Sequence, residues 1–245
     1  MKNLPHLSPS GKRPVEVLVV GNTHTTLTAF SPNPTLAKAV RTDELAACAE
    51  DLLRARPDPS ADLVVVSVVP PIEPTIASIF PGATFLAAEA APIDIAYLDP
   101  STLGPDRIAN ALAARALFGA PVLTVDCGTA TTFTAVDSDG RLAGGAIAVG
   151  LGTARDALAA RGARLPTVDL AVLPPGPATD TRSALQIGLV HGHAGLIQHL
   201  CKLLAPATPI LLTGGWSALL APLIPRSRRV EHLTALGGKV YHDAR

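Results

Sequence analysis

Short runs of β-branched and other apolar residues alternate along the chain with longer stretches in which apolar residues recur every three or four positions. The short runs, bounded by glycine, proline, asparagine or aspartate, are typical of buried strands. The longer stretches predict helices that bury one face. The strands predicted in this way are 15–20, 24–30, 63–69, 84–86, 93–97, 121–125, 130–136, 142–147 and 210–213. The predicted helices are 42–56, 72–80, 106–118, 154–161, 180–204 and 216–223.

Two predicted turns combine glycine with threonine at the end of a strand. One is Gly21-Asn22-Thr23, and the other is Gly128-Thr129, which follows Asp126 and Cys127. Backbone N–H groups and a hydroxyl in such a turn converge on an anion such as phosphate. The Asp126 carboxylate, two residues before Gly128, is placed at the mouth of the turn, where it could hold a cation. Ordinary hairpins without a ligand are the alternative interpretation.

The occurrence of similar turns near the start of each half favours a duplicated fold over two unrelated hairpins. Actin, the sugar kinases and the heat-shock chaperones are built from two similar ribonuclease H-like domains with ATP in the cleft. We therefore predict an α/β protein of this class. The predicted parts are a loose tail at 1–14, an N-terminal subdomain at 15–119 and a C-terminal subdomain at 120–245.

The composition indicates a globular protein with an aliphatic core. Of 245 residues, 48% are apolar but only 3% are aromatic, so alanine, valine and leucine must supply most of the buried area. Basic and acidic residues are equal in number, 20 of each, which argues against electrostatic binding to nucleic acid or to an anionic membrane. No apolar run approaches the roughly 18 residues of a membrane span.

Cysteine and histidine usage indicates the compartment rather than a metal site. Cys48, Cys127 and Cys201 are odd in number and lack metal-ligand spacing, which predicts buried thiols in a reduced, cytoplasmic protein. The seven histidines are scattered, which favours packing or surface roles over a zinc site. The segment 1–14 lacks the apolar core of a signal peptide.

Two features of the predicted helices carry hypotheses of their own. Asp106 begins a helix, where the helix dipole stabilises its anion, and from the residues alone a capping role is favoured over a chemical one. Gly188, Gly192 and Gly195 each lower the intrinsic stability of the long helix by roughly 1 kcal/mol relative to alanine. We interpret them as the site of a tight helix contact.

Taken together, the motifs resemble those of the type III pantothenate kinases, a family that includes the Bvg accessory factor-like proteins. The resemblance covers most of the chain. It is most specific where Gly-Pro-Asp-Arg at 104–107 is followed by Asp-Cys-Gly-Thr-Ala at 126–130. The other matching motifs are Gly21-Asn22-Thr23, Ser67-Val68-Val69-Pro70, Tyr97-Leu98-Asp99-Pro100, Gly144-Gly145-Ala146-Ile147, the segment 181–188 and Thr213-Gly214-Gly215.

The resemblance implies an ATP-dependent kinase that phosphorylates pantothenate in the first step of coenzyme A synthesis. It also implies that Asp106 is the base for the pantothenate hydroxyl, which reverses the preference drawn from the residues alone. The assignment is chemically consistent, because an ionised carboxylate near the nucleophile orients it, while positioning and charge neutralisation supply most of the catalysis.

The same resemblance assigns residues to the ligands. Those implied for pantothenate are Tyr97, Gly104, Pro105, Asp106, Arg107 and Thr181. Those implied for ATP are Gly21, Asn22, Thr23, His24, Thr25, Thr26 and Thr129. Asp126 would hold the monovalent cation of the family, potassium, and Mg²⁺ would accompany ATP. The resemblance further implies a homodimer with the substrate pocket near the subunit interface.

Three positions depart from the family pattern. Val19 stands where the first hairpin of the family has aspartate, Thr134 where aspartate is common, and Val149 where proline is common. Valine cannot coordinate a cation, and loss of one electrostatic contact in phosphoryl transfer costs several kcal/mol of transition-state stabilisation, on the order of 3 kcal/mol. Compensation by Glu16 or Asp137 is left open by the sequence.

With these three departures, the sequence is compatible with three functions. The first is a pantothenate kinase, weakened or altered by Val19. The second is a non-catalytic ligand-binding or regulatory protein on the same fold. The third is a kinase for a different small molecule with a hydroxyl group.

Overall fold

A computed structural model of the chain describes residues 13–30 and 33–245. Its strands are β1 (Val15–Val20), β2 (His24–Phe30), β3 (Pro34–Arg41), β4 (Asp62–Ser67), β5 (Thr84–Phe85), β6 (Val122–Cys127), β7 (Ala130–Val136), β8 (Leu142–Val149), β9 (Ile210–Thr213) and β10 (Ser227–Arg229). Its helices are α1 (Ala49–Arg54), α2 (Glu73–Ile79), α3 (Pro105–Phe118), α4 (Leu151–Arg161), α5 (Thr181–Leu204), α6 (Ser217–Leu220) and α7 (Leu233–Ala244). The predicted tail at 1–14 lies almost entirely outside the described residues.

The first compact unit contains a five-stranded mixed sheet in the order β3-β2-β1-β4-β5. Strand β1 pairs antiparallel with β2 and parallel with β4. Because side chains alternate along β1, Leu18 and Val20 join one core with Leu52 and Ile76, from α1 and α2. Val17 points to the opposite face, which α3 and α7 cover.

The second compact unit has a sheet of the same topology, in the order β8-β7-β6-β9-β10. Here β6 pairs parallel with β9, and β9 pairs parallel with β10. A long helix, α5, covers one face through Ala194, Ile197 and Cys201, which pack with Leu123 and Phe133 of the strands. The shared strand order confirms the prediction of a duplicated α/β fold.

Helix α7 groups with the first unit, although it is the last element of the chain. Its Gly237 lies against the Ala109 backbone of α3, so closely that a Cβ would overlap the Ala109 carbonyl. A Cβ on Gly238 would lie 2.6 Å from Val17 Cγ1. The first unit therefore includes residues 136–143 and 232–245, which the sequence-based boundary at 119/120 had assigned to the C-terminal subdomain.

Several elements differ from the sequence-based prediction. Strands β3 and β10 and helix α7 were not predicted. The strand expected at 93–97 is reduced to a single bridge between Ile95 and Leu142. The helix expected from Thr42 is interrupted, because Thr42–Glu44 forms a 3₁₀ turn whose Thr42 side chain is buried. The α-helix proper begins only at Ala49.

A buried ion pair holds the segment that follows α1 to β1 in the first unit. Arg56 Nε donates to Glu16 Oε2 at 2.6 Å, and the Asp58 N–H donates to Glu16 Oε1 at 3.0 Å. The Glu16 side chain is 2% exposed. Both carboxylate oxygens are thus satisfied, which is the condition under which a buried charge is tolerated.

We expect Glu16→Gln to lower the free energy of unfolding by about 3 kcal/mol, because Arg56 would keep its charge in a buried setting without its partner. The measurement is urea unfolding. Glu50→Gln is the matched control, since Glu50 pairs with Arg54 on α1 with both side chains mostly exposed. Equal midpoints for the two variants would contradict the prediction.

Candidate active site

The turn between β1 and β2 is fixed by Thr42. Gly21 N–H donates to His24 O at 3.0 Å, and Thr42 Oγ1 donates to Gly21 O at 2.6 Å. The Thr42 N–H donates to Thr23 O at 3.0 Å. Asn22, Thr23 and His24 are exposed. The structure therefore presents the middle of this predicted phosphate-binding turn to solvent on a rigid support.

The next two predicted ATP contacts, Thr25 and Thr26, lie within β2. Thr25 is buried, and its hydroxyl is 3.1 Å from the Thr42 hydroxyl. Thr26 is partly buried and opposite Val19 in the sheet. The Thr25 side chain thus supports the turn from the inside, and its hydroxyl faces the interior.

Neither carboxylate considered as a substitute for the missing aspartate takes the place of Val19. Glu16 is three residues away on β1, roughly 10 Å along the strand and on the other face, and it is paired with Arg56. Asp137 accepts from Arg141 Nε at 3.0 Å in its own turn, and hydrogen bonds to Arg141 lower the pKa of its carboxyl. Both carboxylates therefore bind arginine side chains and do not replace the missing aspartate.

Asp106 is the second residue of α3, after the N-cap Gly104 and Pro105. The N-cap position thus belongs to Gly104 rather than to Asp106. Asp106 Oδ1 accepts the Arg107 N–H at 2.8 Å. Burial raises the pKa of the Asp106 carboxyl, against the opposing effects of this hydrogen bond and of the Arg107 charge. A raised pKa brings a carboxylate closer to the range in which it accepts protons efficiently near neutral pH.

The Arg107 guanidinium is oriented by Tyr97. Arg107 Nη1 donates to the Tyr97 hydroxyl at 3.1 Å, and the guanidinium carbon lies 5.8 Å from the centre of the Tyr97 ring. Arg107 Nη2 donates to Thr102 O at 3.4 Å. Among the contacts that the described residues show, no carboxylate is paired with Arg107. The N–H groups of its guanidinium can therefore bind the carboxylate of a substrate. Tyr97 and Arg107 are thus in contact, and Gly104 lies close to Asp106, while the role of these residues in binding pantothenate stays a prediction.

The Gly128-Thr129 turn of the second unit rests against the start of α4. Gly150 N–H and Thr153 Oγ1 both donate to Thr129 O, at 3.2 Å and 2.6 Å. A Cβ on Gly150 would overlap the carbonyl oxygens of Gly128 and Thr129, so only glycine allows this approach. Thr129 itself is exposed. The turn is therefore rigid and open to a phosphate.

Asp126 lies at the end of β6, against a second glycine turn. Gly214, at φ +86°, approaches so closely that a Cβ there would overlap Asp126 Oδ1 and lie 2.7 Å from Cys127 N. The neighbouring Ser217 Oγ donates to Gly214 O at 2.7 Å and fixes this turn. Asp126 thus lies beside both the Gly128-Thr129 turn and the Gly214 turn, and its role as a cation ligand stays a prediction.

The buried cysteines of the second unit are not nucleophiles. Burial raises the pKa of the Cys127 thiol to about 12, with a smaller contribution from the Asp126 charge. Burial likewise raises the pKa of Cys201 to about 11. Both remain protonated at neutral pH. Their role is packing in the core, as the sequence predicted for buried thiols.

His193 anchors α5 to the strand that follows the Gly128-Thr129 turn. Its Nε2 is 2.9 Å from Thr131 Oγ1, and the side chain is 6% exposed. Burial lowers the pKa of His193 below the value of 6.5 for a free imidazole. The unfolded chain therefore binds a proton at this residue more readily than the folded protein does.

It follows that folding stability should fall as the pH falls below about 6.5, because protonation favours the unfolded chain. His193→Gln, which retains a hydrogen-bonding side chain but does not titrate, should reduce the slope of stability against pH between about pH 7 and pH 5. His199→Gln is the matched control, because His199 is exposed on the same helix. Urea midpoints across this range are the measurement, and equal slopes for the two variants would contradict the account.

Thr181, the remaining residue implied for pantothenate, is the first residue of α5 and is exposed. Asp180 caps this helix by accepting the Ser183 N–H at 3.0 Å. Thr181 belongs to the second unit, whereas Tyr97 and Asp106 belong to the first. The role of Thr181 at a shared substrate site therefore stays a prediction.

Comparison with known proteins identifies the family. The family model described as type III pantothenate kinase matches residues 17–203. A type III pantothenate kinase of Desulfosudis oleivorans is 33% identical over 244 residues, which cover 91% of this chain and 95% of that protein. The chain belongs to the type III pantothenate kinase family. Another relative with this description, from Thermomicrobium roseum, is 46% identical over 136 residues, which cover 54% of this chain and 52% of the relative. The chain thus matches about half the length of that protein.

Solved structures show the fold of this family member. A Campylobacter jejuni protein described as a Baf family transcriptional activator aligns with a TM-score of 0.65 and 19% identity, over 94% of this chain and 98% of that one. The archaeal actin homologue Ta0583 aligns with a TM-score of 0.53 and 12% identity, over 94% and 98%. These likenesses confirm the predicted actin, sugar kinase and heat-shock chaperone ATPase fold. None of the helices within 13–30 and 33–245 is long and apolar enough to cross a bilayer.

Sequence reasoning missed the residues that support the two glycine-threonine turns of this type III pantothenate kinase family member. Thr42 holds the first turn from 21 residues away. Gly150 and Thr153 hold the second, and the segment Gly150-Leu151-Gly152-Thr153 was a visible signal, since it combines two glycines with a threonine before a helix. No local signal pointed to Thr42, whose contact is long-range.

Proposed function

We propose that this family member transfers the γ-phosphoryl group of ATP to the primary hydroxyl of pantothenate. The observation that carries the proposal is the first turn of α3, where the Asp106 carboxyl, with its pKa raised by burial, lies beside the Tyr97-oriented guanidinium of Arg107. A proton acceptor and a carboxylate-binding fork on one helix turn suit a substrate that has both a hydroxyl and a carboxylate.

In the proposed reaction the hydroxyl oxygen of pantothenate attacks the γ-phosphorus, and the bond from that phosphorus to the bridging oxygen breaks. ADP leaves with the electron pair, and Asp106 takes the hydroxyl proton. Arg107 binds the pantothenate carboxylate, and Tyr97 orients Arg107. Positioning and neutralisation of phosphate charge supply most of the rate enhancement, and proton acceptance by Asp106 supplies the remainder.

The Gly21-Asn22-Thr23 turn of the first unit and the Gly128-Thr129 turn of the second are each proposed as a phosphate-binding turn within their own unit. Within the described ranges, no three histidine, cysteine or acidic side chains cluster to hold a metal. Mg²⁺ would accompany ATP, because it is usually bound by substrate phosphates with one or two carboxylates rather than by a cluster of protein ligands alone. We assign the monovalent cation, potassium, to Asp126, where it would offset phosphate charge.

We also propose that the protein acts as a cytoplasmic homodimer. The expected tight contact at the glycines of α5 is not made within the described chain, because no described atom lies within 4 Å of a Cβ added at any of the three. Its exposed small residues are Ala184, Gly188, Gly192 and Gly195. On the edge strand β8, Ile147 and Val149 are more than half exposed. A second copy would cover these apolar surfaces, and light scattering on the eluting protein tests the dimer.

A second candidate, a ligand-binding protein without efficient turnover, is favoured by Val19 alone. The test is pantothenate-dependent ADP release by the purified chain with ATP, Mg²⁺ and K⁺, beside a panel of other small hydroxyl compounds. Turnover that is greatest with pantothenate supports the proposal. Faster turnover with another acceptor would reassign the substrate, and binding of ATP without turnover would favour the second candidate.

Gly104 offers a test of how closely Asp106 must be placed. A Cβ at Gly104 would lie 2.5 Å from Asp106 Oδ1, and its backbone conformation is open to alanine. We expect Gly104→Ala to rotate the carboxylate away and to lower kcat about 10- to 100-fold. Ser60→Ala, in the exposed turn at Asp58, is the control and should retain kcat. An unchanged kcat in Gly104→Ala would contradict the proposed role.

A further inference from the structure

A cavity of about 450 Å³ opens in the first unit, at the amino ends of the parallel strands β4 and β5. Strand β4 contributes a carboxylate and an apolar side chain to it, and β5 contributes a hydroxyl group. The lining residues are Arg13, Asp62, Val64, Thr84, His242 and Arg245. The volume is within the range of roughly 300–1,000 Å³ that is usual for pockets that bind small molecules.

The cavity is at the opposite end of the sheet from the Gly21-Asn22-Thr23 turn. Strands β1 and β4 run parallel, with Val15 opposite Asp62 and Val20 opposite Ser67. The turn follows Val20, whereas the cavity begins at Asp62, so that roughly 17 Å of strand separates the two. A ligand in the cavity would therefore not occupy the predicted phosphate-binding turn of this unit.

The two arginines that line the cavity carry positive charges that no ion pair balances among the described residues. Arg245 Nη1 donates to the hydroxyl of the buried Tyr241 at 3.3 Å, and its guanidinium carbon lies 5.4 Å from the centre of the Tyr241 ring. Arg13, just before β1, is exposed. The sequence of residues 1–12 has two lysines and no acidic residue, so its side chains offer no carboxylate to either arginine.

Two carboxylates, those of Asp62 and Asp243, are held close to the cavity by partners on α7. Asp62 Oδ2 lies 3.0 Å from His242 Nε2, and the Asp62 side chain is still 45% exposed. Asp243 Oδ2 accepts from Lys239 Nζ at 2.6 Å, which balances the Asp243 charge. The lining is therefore basic on balance, with one carboxylate that is open to a hydrogen-bond donor.

We propose that this cavity binds a small organic anion that has a phosphate or carboxylate group together with a hydroxyl or amino group. Arg13 and Arg245 bind the anionic group through charge-assisted hydrogen bonds. Asp62 accepts a hydrogen bond from the hydroxyl or amino group, and the Thr84 hydroxyl donates to the ligand or accepts from it. The buried Val64 side chain supplies an apolar floor for the carbon skeleton.

NMR spectra of the full chain test this proposal, because the imidazole of His242 reports on the cavity directly. Its resonances are assigned with His242→Gln, and the probes are glycerol 3-phosphate, malate, inorganic phosphate and glycerol at constant pH. We expect saturable shifts with glycerol 3-phosphate and malate at about 10 mM or below. Inorganic phosphate should bind more weakly, and glycerol should cause no shift. Unchanged resonances with both organic anions, or an equal response to glycerol, would overturn the proposal.

Variants test the charged side chains separately. Arg13→Gln and Arg245→Gln should each raise the Kd for glycerol 3-phosphate about 10-fold, because each loses a charge-assisted contact. Arg161→Gln, exposed at the end of α4 in the second unit, is the matched control and should keep the wild-type Kd. Asp62→Asn should tighten the binding of inorganic phosphate, because it removes a negative charge that opposes the anion. A wild-type Kd in both Arg13→Gln and Arg245→Gln would overturn the proposal.

The same titrations distinguish the cavity from the predicted phosphate-binding turns. ATP, at a concentration that saturates the turns, should leave the Kd for glycerol 3-phosphate unchanged. Displacement of the probe by ATP, together with a wild-type Kd in Arg245→Gln, would place the probe at a turn and overturn the proposal. None of these measurements depends on phosphorylation of pantothenate, so the cavity and the kinase activity are tested independently.

Discussion

Replacing Asp106 by asparagine is expected to lower kcat for pantothenate phosphorylation by about 10²- to 10⁴-fold, the usual contribution of a positioned proton acceptor. The amide keeps the size and the hydrogen-bond acceptor of the side chain, so the contact with the Arg107 N–H at 2.8 Å can persist. It cannot take a proton from the substrate. The KM for ATP should change little, because Asp106 is assigned to the hydroxyl and not to the phosphates.

The pH profile of the wild-type protein adds a second check on Asp106. The carboxyl must be ionised to accept a proton, so kcat/KM should fall as the pH falls through its pKa. Burial raises that pKa, and the loss should therefore begin at a higher pH than for an ordinary aspartate, whose pKa is about 3.9. The acid limb should be absent from the residual activity of Asp106→Asn.

Asp58→Asn is the matched control for Asp106→Asn. Asp58 is exposed, and its side chain accepts the Ser60 N–H at 2.9 Å in a turn, a contact that asparagine also makes. This variant should keep the wild-type kcat and the wild-type pH profile. Equal activities of Asp106→Asn and wild type would remove Asp106 from the mechanism.

Restoring the missing carboxylate by Val19→Asp is expected to raise kcat/KM about 10- to 10³-fold, on the scale of one electrostatic contact to a transition state. Val19 is at the end of β1, two residues before Gly21, and is partly rather than fully buried. A carboxylate there would be placed beside the turn assigned to the ATP phosphates. The variant should be somewhat less stable, because the new charge is partly desolvated.

Val19→Asn is the control, since it has the same shape without the charge and should not raise activity. A large rise in Val19→Asp alone means that the site is a kinase site lacking one charged group. No rise in Val19→Asp, together with normal ATP binding, would mean that turnover is limited elsewhere. Because Glu16 and Asp137 are both held by arginines, neither would mask the effect.

The sequence predicted the elements whose apolar pattern is strong. The strands β1, β2, β6 and β9 and the helices α3 and α5 lie close to their predicted bounds, because each buries one or both faces. The first six residues of strand β3 are all exposed or partly exposed, so the strand carries no such pattern. Strand β10, Ser227–Arg229, is too short and polar to be recognised.

The glycines of α5 and α7 show why long-range contacts were not predicted from the sequence. The glycines of α5 were expected to mark a tight contact, yet the described chain leaves them open. Gly237 and Gly238 of α7 make such a contact, against Ala109 and Val17. The sequence alone does not distinguish these cases, because the partner of a glycine is set by tertiary packing.

The residues of the candidate site also divide into those that the sequence predicted and those that only the structure shows. The residues of the Gly128-Thr129 segment predicted a phosphate-binding turn, whereas the chemical roles of Asp106 and Arg107, which α3 carries side by side, came from the resemblance to the family. Thr42, by contrast, was predicted only as the start of a helix, whereas its hydroxyl donates to Gly21 O. Residues such as Thr42, which support a turn from far along the chain, carry no local signal, whereas a glycine-threonine turn does.

The most direct test of the central claim is transfer of the labelled γ-phosphoryl group of ATP to pantothenate by the purified wild-type chain with Mg²⁺ and K⁺. The account predicts label in phosphopantothenate, in equal amount to the ADP formed, and its loss in Asp106→Asn. The absence of label in pantothenate from a folded chain that binds both ATP and pantothenate would contradict it.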